Sequence, residues 1–561
     1  MPEEQPKTAD AAARGRASLT AWLAAQPSNL FDDDSDLQAI LVHHGLEARW
    51  PALQAAGVAV AGPLDRAVCE NNLHRNLPVL DDYDAVGNYR PAIAHHPSHR
   101  AAGRLIYGTG VMAAYGEPTR PHRTVLSLFY LTAQAGEAGH NCPLACAAGA
   151  IRVLQELGTE EQRARYLGRL LDPNFDSNFT ASQFLTEVQG GSDVGANALA
   201  ATPVDPADRG PGGRWTLRGE KWFCSNADAD VFIVTARVAA PEKGTAGLGL
   251  FLVPAVRSDG RPNGFKIRRL KDKLGTRSMA SGELDFVDAE AEAVGAVDDG
   301  FKNVILHVIT TSRLYNATGC AAHARRAWVV ASTYAQHRSA FGKPIADFAS
   351  VRETLAWMRA DATAILAGSL LLAALQERLD RGALSPAESA FFRVAVNLHK
   401  LRTASLAHDA VNRGIEVLGG NGAIESFSVL PRLLRDNVVY ENWEGTHNVL
   451  RAQVLRDCLR YGLHQGFFAT LATMLPEAER ALLDADAAAL DDCLAAPTDL
   501  RELRFRPLAD RMATWTMMAA LAPIPSLAPH RALSGRHLWP LPIDAAHLAR
   551  LGALMRPDPP R

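Results

Sequence analysis

Segment 415–456 joins a glycine-rich turn to a single carboxylate that stands among small residues. In the run GGNG at 419–422 the backbone can approach a ligand closely, because glycine has no side chain. The run WEGT at 443–446 places Glu444 in a tight turn just before a helical stretch. A plain helix C-cap followed by an acidic helix N-terminus would use the same residues, so this segment alone leaves both interpretations open.

Three further stretches could also bind a ligand. The run FLTEVQGGSDVG at 184–195 can arrange two hydroxyls and backbone N–H groups around one concave turn, which suits a flavin edge or a phosphate. A strand that runs into an Asx or Ser/Thr turn explains it equally well. In GEKWFCSN at 219–226 a strand would point Trp222 and Phe223 to opposite faces, and taken alone these rings are more typical of core.

The third stretch is RSAFGKP at 338–344, which closes a long helical segment. Its two basic residues flank Phe341, an arrangement that suits a pyrophosphate beside an adenine or ribose. Basic residues are also common at helix C-termini, and this ordinary interpretation is favoured for the stretch by itself. Neither a GxGxxG after a strand nor a GxxxxGK[ST] occurs, so no Rossmann or P-loop site is indicated.

The pattern of apolar residues divides the chain into regions that must position these stretches. Apolar residues recur at three and four positions in two regions, and short runs rich in Val, Phe, Trp and Thr fill the region between them. The sequence therefore predicts a multidomain α+β protein: a disordered or loosely packed segment 1–35, an α domain 36–177, a β domain 178–298, an antiparallel α bundle 299–460 and a helical extension 461–561.

Composition limits the classes of protein. A length of 561 residues allows several domains, and 47% hydrophobic with 21% charged residues is typical of globular chains. Seven scattered cysteines and a polar N-terminus without a secretory signal predict a cytoplasmic setting. The apolar run 362–376 is shorter than the ~18 to 20 residues that span a bilayer, so we expect a buried bundle helix and no membrane partner. Cys142, Cys146 and His140 lack the ligand number and spacing of a metal site, which favours core or cap roles.

The order of the four stretches resembles the acyl-CoA dehydrogenase family over about residues 100–460. The family pattern is TE(x)nGGSD, then G-x-K-x-aromatic-x-(S/T)-N, then RxxFGKP, then GGNG and an aromatic-Glu-Gly-Thr. The runs HNCPLACAAGAIRVLQ, RLKDKLGTRSMASGELDF and WEGTHNVLRAQVLR are closer still to the AidB-like, adaptive-response branch.

This resemblance implies an FAD enzyme that desaturates an acyl-CoA thioester, passes electrons to an electron-transfer flavoprotein and forms a homo-oligomer, specifically a tetramer. It implies that Glu444 is the catalytic base. In some relatives the base lies instead on the helix around Ser312 and Arg313, where this chain has no carboxylate. Arg313 would bind substrate or order the pocket wall. Glu416 stands where many relatives have Gln, which puts a cofactor contact at this position in doubt. The residues that would hold FAD are Thr186, Ser192 (also toward the thioester), Phe223, Ser225, Arg338, Phe341, Gly419 and Gly420 (a neighbouring subunit's turn), and Thr446.

Two rival functions share this resemblance. In the AidB-like branch the protein would bind double-stranded DNA and protect it during alkylation stress, with weak dehydrogenase activity. Residues 461–561 hold ten arginines, no lysine and eleven acidic residues, which is poor support for binding a polyanion, so DNA is not favoured. An oxidase or an enzyme acting on a carrier-protein thioester would share every flavin motif.

Overall fold

The structure is a computed structural model that describes residues 5–238 and 244–555. Its elements follow the predicted order of helices, β sheet, long helices and helical extension. The N-terminal region is helical apart from one hairpin, with elements α1 (Gln5–Ala24), α2 (Ser35–His43), α3 (Trp50–Ala59), α4 (Asp65–Asn71), β1 (Val79–Tyr83), β2 (Tyr89–Ala94), α5 (Pro97–Tyr107), α6 (His122–Ala133), α7 (Asn141–Leu157), α8 (Glu160–Gln162) and α9 (Gly168–Leu170).

Segment 1–35 was expected to be loosely packed, and the structure differs over its described part. Helix α1 is mostly exposed, but Trp22 near its end is only 3% exposed. The indole stacks on Phe427 with 5.0 Å between ring centroids and meets the ring of Tyr334 edge-on at 5.3 Å. Trp22 and the partly buried Leu19 thus pack helix α1 against the bundle.

The β region is one seven-stranded sheet in which the pairing of β6 with β7 closes the strand order on itself. Its inward side chains form a separate apolar core that includes Trp215, Phe232 and Phe251. The five longest strands coincide with the runs that predict strands in the sequence, which are RWTLRGEKWFCSN, DVFIVTARV, GLGLFLVPA, FKIRRL and GELDFVDA. The two four-residue strands were not predicted. The strands are β3 (Ala181–Phe184), β4 (Ala200–Pro203), β5 (Arg214–Ser225), β6 (Val231–Arg237), β7 (Leu248–Pro254), β8 (Phe265–Leu270) and β9 (Ser281–Ala293).

The C-terminal half is built on three long helices that pack against one another, α11, α12 and α13. Within residues 5–238 and 244–555, α12 alone is long and apolar enough to cross a membrane, and 89% of its most apolar window is buried inside the protein. The bundle elements are α10 (Gly300–Asn303), α11 (Thr310–His337), β10 (Ser339–Ala340), β11 (Lys343–Pro344), α12 (Ala349–Asp380), α13 (Pro386–Leu418), α14 (Leu430–Asn442) and α15 (His447–Tyr461).

The extension packs on α12 and α13. Arg359 in α12 connects three regions, because it donates to Asp36 in α2 at 2.8 Å and to the backbone oxygen of Leu554 at 3.2 Å. A buried charge needs such partners to offset its desolvation. The extension consists of α16 (Leu463–Met474), α17 (Arg480–Ala495), α18 (Thr498–Leu521), α19 (Ala528–Ser534) and α20 (Ala545–Met555).

Candidate active site

Glu444 lies in the turn between α14 and α15 with a backbone φ of +57°. A non-glycine residue in this region costs of order 1–3 kcal/mol and persists only where its surroundings hold it. Arg313 Nε donates to the backbone oxygen of Glu444 at 3.1 Å. Lys400 Nζ donates to the backbone oxygens of Gly445 at 3.0 Å and Glu441 at 3.1 Å. Two buried cations therefore hold the turn that presents the carboxylate.

The carboxylate of Glu444 is buried, although the turn that carries it is partly exposed. Its Oε1 accepts a hydrogen bond from Gln183 Nε2 at 2.7 Å, and its Oε2 has no partner among the described residues. Burial raises the pKa of Glu444, while Arg313, Lys400 and the Gln183 hydrogen bond act to lower it. The group thus combines increased basicity with one oxygen free to take a proton.

Burial also shifts the pKa values of the two cations, Lys400 and Arg313. Desolvation lowers the pKa of Lys400 to about 8 and that of Arg313 to about 10, and the negative charge of Glu444 opposes both shifts. Arg313 also donates to Asn397 and to Gln453 Oε1 at 3.3 Å, so three contacts fix its guanidinium. It therefore lies against the Glu444 turn, and its predicted role in binding substrate or ordering the pocket wall stays a prediction.

A small cavity of about 30 Å³ adjoins the carboxylate. It lies where α6, α7, α11, β3 and the end of α14 meet, so the α and β regions jointly enclose it. Cys142 and Cys146, expected to have core or cap roles, are part of its wall. The lining residues are Phe129, Asn141, Cys142, Ala145, Cys146, Gln183, Ser312, Tyr315, Asn316, Tyr440, Trp443 and Glu444.

The predicted ligand residues of the β region flank one surface. Thr186 accepts a hydrogen bond from the backbone N–H of Trp222 at 2.9 Å through its own backbone oxygen, which joins the first stretch to the second. Buried Glu187 and Lys221 form an ion pair of 2.8 Å, and Glu187 also accepts from backbone N–H groups of Ala198 and Leu199. This buried pair fixes the turn, leaving the predicted ligand residue Ser192 exposed and Ser225 half-buried.

The expected strict alternation of Trp222 and Phe223 is interrupted in the structure. The pairing of β5 with β9 shifts register between Lys221 and Cys224, and Lys271 Nζ lies 3.6 Å from the Trp222 ring and 4.6 Å from the Phe223 ring. A bulge of this kind re-aims side chains that a regular strand would separate. Phe223 remains 54% exposed, so its ring is available to a planar partner.

The predicted ligand residues Arg338, Phe341, Gly419 and Gly420 are exposed at one end of the bundle. Phe341 is 96% exposed with a φ of +52°, in the hairpin that begins just after Arg338. The glycine turn approaches the same end, because Asn421 Nδ2 donates to Tyr334 Oη at 3.1 Å one helical turn before Arg338. A Cβ at Gly419 or Gly420 would meet nothing within 4 Å, so this turn is open to a ligand. Thr446 is also exposed, at the start of α15.

The sequence interpretation missed Gln183, Lys400 and Asn141 at this site. Gln183 precedes the TE motif on a short strand and carries no distinguishing signal. Lys400 does carry one, since it is the one Lys, Arg, Asp or Glu among the buried residues of α13. A lone charge in a buried helical face indicates a specific partner.

Comparison with known proteins assigns all three main regions. Residues 23–177 match the family model described as adaptive response protein AidB N-terminal domain. Residues 182–289 match the acyl-CoA dehydrogenase middle domain, and residues 298–459 match the acyl-CoA dehydrogenase C-terminal domain.

Individual relatives agree with this assignment. The putative acyl-CoA dehydrogenase AidB of Escherichia coli (strain K12) is 33% identical over 68% of this chain and 69% of its own length. Acyl-CoA dehydrogenase family member 11 of Caenorhabditis elegans is 34% identical over 59% of this chain, and the match spans just over half, 54%, of that protein.

Solved structures share the fold. Bd2924 in its apo form superposes with a TM-score of 0.81 at 28% identity, over 88% of this chain and 98% of its own. Caenorhabditis elegans ACDH-11, solved in complex with C11-CoA, gives a TM-score of 0.80 at 24% identity, over 92% and 93%.

Proposed function

The chain belongs to the acyl-CoA dehydrogenase family, on the AidB-like side of it, and we propose that it is an FAD-dependent acyl-CoA dehydrogenase whose base is Glu444. The observation that carries the proposal is the buried Glu444 carboxylate, which has a raised pKa and an unpaired oxygen at the edge of an enclosed cavity. Such a carboxylate matches the weak acidity of a carbon next to a thioester.

The residues present fit FAD. The exposed ring of Phe223 offers a face for the flavin, and the fixed backbone around Thr186 offers polar groups beside it. The open turn at Gly419 and Gly420, beside the exposed Phe341, gives a ribose, adenine or pyrophosphate room to approach the backbone. When bound, FAD supplies the hydride acceptor for the β-carbon.

The protein's own residues would then remove the α-proton of the substrate. Glu444 Oε2 removes the α-proton, and Gln183 holds Oε1 so that the carboxylate keeps one orientation. Arg313 and Lys400 hold the backbone of the turn, and their charges oppose the rise that burial causes in the pKa of Glu444.

The proposed partners are further copies of this chain and an electron-transfer flavoprotein. The exposure of Phe341 and of the glycine turn supports a homotetramer in which a second copy covers this end of the bundle. Electrons would pass to an electron-transfer flavoprotein, in a cytoplasmic setting. DNA binding remains unfavoured, because Arg451, one of three arginines spaced along α15, is already paired with Asp510 at 3.1 Å.

The test is an anaerobic titration of the purified yellow protein with a panel of acyl-CoAs. We expect the flavin absorbance at the long-wavelength band to bleach with at least one ester. Glu444→Gln keeps the shape and the Gln183 contact, so it should retain FAD but show no bleaching. Undiminished bleaching in this variant would remove Glu444 as the base.

A further inference from the structure

Asn141 leaves an unpaired acceptor on the wall of the Glu444 cavity. It is the first residue of α7 and is 2% exposed. Its Nδ2 donates to the backbone oxygen of Gly136 at 2.9 Å. Since a carbonyl oxygen can only accept, this contact sets the orientation of the amide and makes the other atom, Oδ1, an acceptor. Within residues 5–238 and 244–555, Oδ1 is buried without a partner.

An unpaired donor lines the same cavity. The indole Nε1–H of Trp443 is buried and has no partner among the described residues. The Trp443 ring stacks on Tyr440 at 4.7 Å, and Tyr440 Oη lies 3.5 Å from Asn141 Nδ2, so the three side chains form one continuous wall. This wall carries one free acceptor and one free donor.

The other side chains of the cavity are satisfied. Gln183 Nε2 donates to Ser312 Oγ at 3.0 Å as well as to Glu444, and Asn316 Nδ2 donates to the backbone oxygen of Tyr440 at 3.0 Å. Apart from the free oxygen of the base, the unmet polar groups are therefore confined to Asn141 and Trp443. Both groups belong to the wall of one cavity, so a polar group of a ligand in that cavity would meet them.

Resting on the proposed function, we propose that the substrate is a short-chain acyl thioester whose acyl group carries a hydroxyl beyond the β-carbon. A hydroxyl both donates and accepts, so it can pair with an acceptor such as Asn141 Oδ1 and with a donor such as the Trp443 indole N–H. The chain is short because the space beside Glu444 is small and the aromatic rings of Phe129, Tyr315, Tyr440 and Trp443 stand in its wall. The hydroxyl takes no part in the desaturation, and the product is the corresponding hydroxy-2-enoyl thioester.

The experiment compares matched ligands on the FAD-loaded enzyme. Butyryl-CoA and 4-hydroxybutyryl-CoA are titrated under argon, and Kd is read from the perturbation of the flavin spectrum and from calorimetry. We expect the hydroxy ester to bind at least about tenfold more tightly, since a site built to pair a hydroxyl penalises its absence. Undecanoyl-CoA should bind more weakly than either.

Substitutions in the cavity wall test which side chains cause the preference for the hydroxy ester. Asn141→Leu keeps the side-chain size but removes the acceptor, and it should bring the two affinities within about twofold of each other. Trp443→Phe keeps an aromatic ring and removes the N–H together with part of the indole, so it tests the same wall if Asn141→Leu fails to fold. Ser312→Ala removes a satisfied hydroxyl from the same cavity and should leave the ratio of the two affinities unchanged.

The outcomes separate the two proposals. Bleaching by both esters with equal affinity would overturn the hydroxyl inference and leave the dehydrogenase function standing, with water serving Asn141. A preference that survives in both Asn141→Leu and Trp443→Phe would also overturn it. Binding without bleaching by any ester would instead overturn the dehydrogenase function.

Discussion

Replacing Lys400 by Met tests whether the geometry of the Glu444 turn is held by a buried cation. Lys400 is fully buried, and its Nζ donates to the two carbonyls on either side of Glu444. Met has a similar length and no charge, so the variant removes both hydrogen bonds with little change in volume.

The size of the expected effect follows from comparing the free energy of the Lys400 hydrogen bonds with the cost of the left-handed backbone at Glu444. Hydrogen bonds from a charged donor contribute about 1.5–3 kcal/mol each. The left-handed backbone of Glu444 costs of order 1–3 kcal/mol. With Lys400 present the bonds exceed the strain, whereas without it only the Arg313 contact of 3.1 Å remains and the two nearly balance. The turn should then leave the left-handed conformation at Glu444 for a large fraction of the molecules. We expect flavin reduction to slow by roughly 10- to 100-fold.

The pH profile gives an independent readout. Flavin reduction needs ionised Glu444, so its rate falls as the pH drops through the raised pKa of this carboxyl. Lys400 lowers that pKa by its charge, so Lys400→Met should raise it further and move the profile to higher pH.

Stopped-flow reduction under argon, measured across a pH series, provides both readouts. Lys302→Met is the matched control, because it removes the same charge from a side chain that is 67% exposed. A Lys400→Met enzyme that reduces its flavin at the normal rate, with an unmoved pH profile, would refute this account of the turn.

Three further predictions use other parts of the chain. Gly420→Val should leave the fold of the chain intact, because a Cβ there meets nothing within 4 Å, yet FAD retention after gel filtration should drop; full retention would remove this turn from the cofactor site. Lys221→Met leaves Glu187 buried without its partner, which should destabilise the protein by about 3–5 kcal/mol and lower its melting temperature; an unchanged Tm would contradict this. Gel shifts at 50 and 200 mM salt should show no duplex binding, and binding that weakens steeply with salt would revive the DNA function.

The sequence by itself determined the order of the regions and most of the elements. Short runs rich in Val, Phe, Trp and Thr predicted strands such as β5 and β8, and three- and four-residue spacing of apolar residues predicted the long helices. These patterns succeed because each element buries one face, which its own residues encode locally. Short strands such as β3 and β4 hold too few residues to show a period. The placement of Glu444 in a turn before α15 was also local information.

Only the tertiary structure decided how Glu444 could act as a base. Gln183, Arg313 and Lys400 come from β3, α11 and α13, and their contacts with the turn span more than 40 positions in sequence. The raised pKa, the left-handed backbone and the unpaired oxygen all follow from burial among these distant groups, which no local pattern records. The same holds for Asn141, whose unpaired oxygen exists only because α7 and α14 meet at one cavity.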